Sequence, residues 1–157
     1  MEGKPFALIG VNSDDSPETA LAAVKKNELN WRSFQNEREG SSSISTDWNV
    51  SGWPTVVVID AKGNIAYRGH DGHAATAAAT NLVTKLENGD DEEIIEEVAE
   101  EVIEEEIVEE IIEEPANIGT EKGQTAPNIT GIDLAGESFS LYDFKGQVVM
   151  VDFWGDW

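Results

Sequence analysis

Two segments of this chain are apolar without alternation: Thr55-Val56-Val57-Val58-Ile59, and Gln147-Val148-Val149-Met150-Val151-Asp152-Phe153. A strand with one face in water alternates apolar and polar residues, so runs like these belong inside a sheet that is covered on both faces. That requirement selects a layered α/β architecture. Burying one Val or Phe side chain is worth about 1.5–3 kcal/mol, so the later run is not stable as a free tail in water. It is predicted to insert beside Phe6–Val11 and Thr55–Ile59 in a mixed sheet. The insertion would occur in cis through the long segment that precedes it, or in trans as a strand-swapped homodimer.

The remaining pieces supply the layers. Phe6–Val11 reads as a buried strand closed by the polar Asn12-Ser13-Asp14-Asp15. Ser16-Pro17-Glu18 is a helix start, with Ser at the cap and Pro where its missing N–H costs nothing. Ala20, Leu21, Val24 and Leu29 continue that helix at helical spacing. Residues 41–49 form a polar loop or short helix around Ile44 and Trp48. Asp60–Asn64 is a hairpin-type turn leading into an antiparallel strand at Ile65–Arg68. Ala74–Glu87 reads as an amphipathic helix ending near Asn88-Gly89. Asp133–Glu137 joins two short strands in a second hairpin, and Asp143–Gly146 turns the chain into the last run.

Composition narrows the chemistry. The 157 residues carry 10 Lys and Arg against 32 Asp and Glu, a net charge of −22, with no Cys. Nucleic acid is excluded as a partner because it is bound by basic residues that displace phosphate counterions. A disulfide framework, zinc–thiolate sites, iron–sulfur clusters and thiol nucleophiles are excluded by the absence of Cys. No membrane span or signal peptide is expected, since no run of about 18 apolar residues occurs. The acidity is local: residues 90–114 hold 15 acids and 10 apolar residues, and outside them 17 acids face 10 bases. Apolar pairs in this segment recur about every 4.25 residues, against the 3.6 that keep a stripe on one helix face. Uncompensated acids at i and i+4 oppose a helix further, so a weak helix or an extended linker is expected.

Three motifs resemble one family. "GQTAPNITGIDLAGESFSLYDFKGQVVMVDFWGDW" is similar to an N-terminal hairpin and first central strand, "FALIGVNSDDSPE" to the next parallel strand, and "WNVSGWPTVVVIDAKGNIAYRG" to a cis-proline loop with its terminal hairpin. Together they resemble the thioredoxin-like superfamily, in particular the extracytoplasmic redoxin branch of TlpA- and ResA-type thiol–disulfide oxidoreductases. The resemblance covers residues 1–88 and 123–157. It implies an α/β, three-layer fold with a mixed central sheet, either permuted or incomplete, because the motif order is inverted and the active-site helix is missing. Residues 1–89 then correspond to the C-terminal part of such a domain, 90–122 to an acidic linker, and 123–157 to the N-terminal part of the same or a following domain. A tandem-domain excerpt and a circular permutant both fit that order.

The resemblance also implies a site. Pro54 matches the cis-proline that faces the disulfide, Asp152 the buried carboxylate that accepts a proton from the resolving thiol, and Trp157 the aromatic residue abutting the first Cys. The Cys-x-x-Cys itself is absent. The chain alone is therefore expected to be redox-inactive, and a non-enzymatic interaction or spacer module is the competing reading. The intact parent would meet protein thiols and disulfides in an exported setting and need no cofactor or metal. Asp152, if buried among apolar neighbours, should have a raised pKa. His70 and His73, around Gly72, read as a solvated loop rather than as ligands.

Overall fold

A computed structural model describes residues 3–37, 40–90 and 117–156. Residues 90–114 thus fall, apart from Asp90, outside the described residues, as does Trp157.

The first strand, β1 (Phe6–Asn12), leads into α1 (Pro17–Lys26), whose Ser16 cap accepts the Thr19 N–H at 3.2 Å. A three-residue strand, β2 (Ser33–Gln35), and a single turn, α2 (Ile44–Asp47), precede β3 (Thr55–Ile59). The hairpin partner β4 (Ile65–Gly69) runs into α3 (Gly72–Asn88), capped by Asp71, which accepts the N–H groups of His73 and Ala74. Gly89, at φ +74°, closes α3 in the left-handed conformation that glycine adopts without steric cost. After the acidic segment come the hairpin strands β5 (Thr130–Ile132) and β6 (Ser138–Ser140), a 3-10 turn at Leu141–Phe144, and β7 (Val148–Trp154).

The sheet order is β2-β1-β7-β3-β4. The strand nearest the C-terminus therefore lies in the middle of a sheet built otherwise from the first 70 residues, within a single chain. It runs parallel to β1, Phe6 opposite Val148 through Asn12 opposite Trp154, and antiparallel to β3, Thr55 opposite Phe153 through Ile59 opposite Val149. Its period of two feeds both layers. Val149, Val151 and Phe153 join Ile9, Val11, Val57, Trp48 and the hairpin's Phe139 on one face. Val148, with Val56 and Val58, packs under Ala75, Ala79 and Val83 of α3 on the other. The result is a layered α/β fold around a mixed five-stranded sheet, as the apolar runs required.

The structure departs from the sequence expectations at α1 and β2. Helix α1 ends at Lys26, before Leu29, and buries Ala20 and Ala23 while Leu21 stays 45% exposed. Ala20 and Ala23, three positions apart, share one face of the helix, and Leu21, one position on from Ala20, is turned about 100° away from it. Strand β2 carried no periodic signal because it is only three residues long. It is held by parallel pairing with β1 at Gly10–Asn12 and by the hairpin, where Phe34 bridges to Asp133. Residues 117–126 also pack onto the sheet edge, with the Ile65 N–H donating to the Gln124 carbonyl and the Gly123 N–H to that of Ile65, both at 2.8 Å. Among the described residues no helix is long and apolar enough to cross a membrane.

Candidate functional site

The register places the site residues. Asp152 sits in β7 between Gly10 of β1 and Val56 of β3, on the face that α3 covers. Because Thr55 pairs with Phe153, the loop ending in Pro54 lies at the end of β7, two positions beyond Asp152. The fold thus brings Asp152 and the Pro54 loop to the same end of the sheet, although they are nearly a hundred positions apart in sequence. Trp157 lies outside the described residues.

Asp152 is half-buried, and its Oδ1 is enclosed with no hydrogen-bond partner among the described residues. Removing a carboxylate from water without a compensating donor disfavours its charged form. Burial accordingly pushes the Asp152 carboxyl from 3.8 up to about 6. Its proton is therefore held to a higher pH than that of an ordinary aspartate.

The neighbouring backbone is crowded in a specific way. A Cβ at Gly10 would collide with Ser33 Oγ and meet Trp154 Nε1 at 2.6 Å. Glycine is needed there for the indole of Trp154 to cross β1 and donate to Ser33 Oγ at 3.3 Å. The Ser13 N–H donates to the Trp154 carbonyl at 2.9 Å, and the Asp156 N–H to Asp14 Oδ1 at 2.9 Å. The end of β7 is therefore tied to the loop after β1.

The Pro54 loop is tied down from the opposite side. The Trp53–Pro54 peptide bond is cis. Thr55 Oγ1 donates to the Gly52 carbonyl at 2.6 Å, and His70 Nδ1 lies 2.7 Å from the Pro54 carbonyl oxygen. A carbonyl only accepts, so this contact fixes the proton on Nδ1. Trp53, 40% exposed, donates from Nε1 to Ser13 Oγ at 3.2 Å. Arg68 donates from Nη2 to the carbonyls of Trp48 and Asn49, both at 2.9 Å. His70 is thus part of the loop's support, where the sequence had read it as a solvated loop residue. Counting back along the β3–β4 hairpin was the signal that could have found it: Val56 opposite Gly69 brings His70 alongside Thr55. His73 is exposed at the start of α3, and among the described residues no three metal-ligating side chains converge.

Chemically, this end of the sheet offers a proton-exchanging carboxylate, a fixed loop and an exposed indole. It offers no nucleophilic sulfur, since the chain contains no Cys.

Comparisons with known proteins bear on the family. Residues 1–65 match the family model described as thioredoxin-like. The chain is 49% identical over 37 residues to the thiol-disulfide oxidoreductase ResA of Bacillus thuringiensis subsp. konkukian, covering 24% of this chain and 21% of that protein. ResA of Bacillus cereus matches to the same extent. The thioredoxin-like protein YneN of Bacillus subtilis is 42% identical over 40 residues, 26% of this chain and 24% of that protein. The matches span less than a quarter of the length of these relatives. No solved structure gives a significant match.

Proposed function

Taking a thioredoxin-like chain of the ResA type as the premise, we propose that this protein carries the sulfur-free half of a thiol–disulfide exchange site. The sulfurs would be provided by a Cys-x-x-Cys turn and helix completing the domain beyond β7. The observation that carries this reading is Asp152: a carboxylate held near a pKa of 6 by burial, at the end of the central strand, beside the Pro54 loop. Thiol–disulfide exchange proceeds by attack of a thiolate on a disulfide through a mixed disulfide. A carboxylate of that pKa in that position suits removal of the proton from a resolving thiol. Pro54 would face the mixed disulfide, and its loop would lie along the extended partner chain. Trp157 would abut the first sulfur. Residues 90–122 would act as the linker between the two parts of the domain, or between neighbouring domains, and protein thiols and disulfides would be the partners.

Without Cys the chain itself should not reduce insulin disulfides, because no side chain can form the mixed disulfide. The test appends a Cys-x-x-Cys helix after Trp157. The expected result is measurable insulin reduction that falls when Asp152 becomes Ala or Pro54 becomes a bulkier residue. An appended chain that folds, with protected amides at 148–153, yet stays inert would overturn the reading. A non-enzymatic interaction module would replace it, a role that the firmly supported Pro54 loop and the absence of Cys also suit.

A further inference from the structure

Proline has no N–H to offer a ladder, so a loop that ends in Pro54 cannot be held by main-chain donors at that position. Side chains hold it instead. The Thr55 hydroxyl satisfies the Gly52 carbonyl from within the loop, at 2.6 Å. The Pro54 carbonyl is satisfied by His70, which belongs to a different element: it follows the end of β4 and immediately precedes Asp71, the cap of α3. The same imidazole lies 3.4 Å from Thr55 Oγ1 and 3.5 Å from where a Cβ on Gly52 would stand. One ring therefore contacts Pro54 and Thr55, stands beside Gly52, and links the loop to the start of α3.

We propose that His70 is a positioning residue, and that its Nδ1–H sets the orientation of the 52–54 backbone that receives an extended partner peptide. The proposal rests on the reading of the Pro54 loop as a partner-facing surface. The ring is exposed, so little of the core depends on it. Its loss should change how well the loop is presented more than whether the chain folds. Asn carries an amide nitrogen close to the place of Nδ1, so His70→Asn keeps the donor, whereas His70→Ala removes it.

The experiment follows the backbone amides of Trp53 and Thr55 by NMR during titration with a short acetylated and amidated peptide of alternating Val and Thr, with a terminal Lys for solubility. Wild-type chain is expected to bind. His70→Ala should weaken binding about three- to tenfold, the effect of losing one hydrogen bond, with the urea midpoint almost unchanged. His70→Asn should restore the affinity, and imidazole 15N shifts of the wild type should show the proton on Nδ1. Equal affinity in His70→Ala, failure of His70→Asn to rescue, or a wild-type ring protonated only on Nε2 overturns the role of His70 while leaving the loop reading intact. Absence of wild-type binding removes the loop reading and the proposal together.

Discussion

Two aspartates enter this fold at opposite places, and their surroundings differ in every respect that matters to a carboxylate. Asp133 opens the β5–β6 turn and is 5% exposed. Its Oδ1 accepts the N–H groups of Ala135 and Glu137, both at 2.9 Å, and its Oδ2 meets Arg32 Nε at 2.9 Å and Nη2 at 2.7 Å. Burial alone would raise its pKa, but the N–H of Glu137, Arg32 and the N–H of Ala135 together hold it below 3.8. Asp152 has burial without the donors, and its pKa moves the other way, to about 6. The difference separates a carboxylate whose charge is held by donors from one whose charged form is disfavoured by burial. What distinguishes them is the supply of donors, since both are withdrawn from water.

The largest effect expected from breaking this contrast is at Asp133. Changing Asp133 to Ala strands two turn N–H groups and leaves Arg32 without its acceptor. Loss of one partner from a buried, hydrogen-bonded pair typically costs several kcal/mol. Because the Arg32 side chain is itself 41% exposed, about 2–4 kcal/mol is expected at pH 7. Urea unfolding monitored by tryptophan fluorescence measures it. A loss under about 1 kcal/mol would mean that the cluster contributes no more than a surface pair.

The reverse sign is expected at Asp152. A carboxyl whose pKa is raised on folding binds more protons in the native state than in the unfolded state between pH 3.8 and about 6. Stability from this group therefore falls as pH rises through that window and stays low above it. Two pH units at about 1.4 kcal/mol each set an upper bound that residual water contact reduces. Asp152→Asn should stabilise the chain by about 1–2 kcal/mol at pH 7 and by almost nothing below pH 4. Asp133 acts oppositely: its contribution is present above the unfolded pKa and is lost as pH falls through its depressed folded value. Paired urea series at pH 7 and pH 4 test both signs, and a gain in Asp152→Asn that persisted at pH 4 would show that ionisation is not its source.

How much of this was legible differs between the two sites. The central placement of β7 followed from Val148–Phe153 being apolar on both faces, a property of the residues themselves. Asp152 stood out as the one charge in that run, and desolvation of a lone carboxylate among Val, Met and Phe is a local matter that sequence neighbours predict. Asp133 did not stand out. A hairpin aspartate is common as a turn former, and nothing local indicates that its partner is Arg32, a hundred residues earlier. Strand β2 was hidden for the same reason, since Ser33–Gln35 is strand only because β1 and the hairpin tip hold it there. His70 lay between these cases: its role follows from hairpin register but not from residue type. Leu21 misled because hydrophobicity was read without regard to which face of the helix Ala20 and Ala23 turn inward.

The finest test of the contrast keeps the charge at Asp133's partner and changes only its shape. Arg32 does two things at once: its fork reaches Asp133 Oδ2 from both Nε and Nη2, and its guanidinium lies 4.1 Å from the centre of the Phe139 ring, itself stacked on Phe34 at 3.8 Å. Arg32→Lys retains a positive charge but has neither the fork nor the flat face that lies over the ring. The backbone donors from Ala135 and Glu137 remain, so Asp133 should stay ionised at pH 7 and the chain should lose only about 1 kcal/mol, the scale of a single hydrogen bond and its stacking contact. With one of the influences that lower its pKa weakened, the Asp133 carboxyl should titrate at a higher pH than in wild type. The acid limb of the stability profile should then begin earlier as pH falls. Carboxyl 13C titration of Asp133 and Asp152 in the same sample reads both outcomes. The midpoint of Asp133 should rise while that of Asp152, in the central strand and away from the hairpin at the β2 edge, stays near 6. Movement of both midpoints together would show that the two carboxylates are coupled through the sheet and that their local donors do not set their chemistry independently.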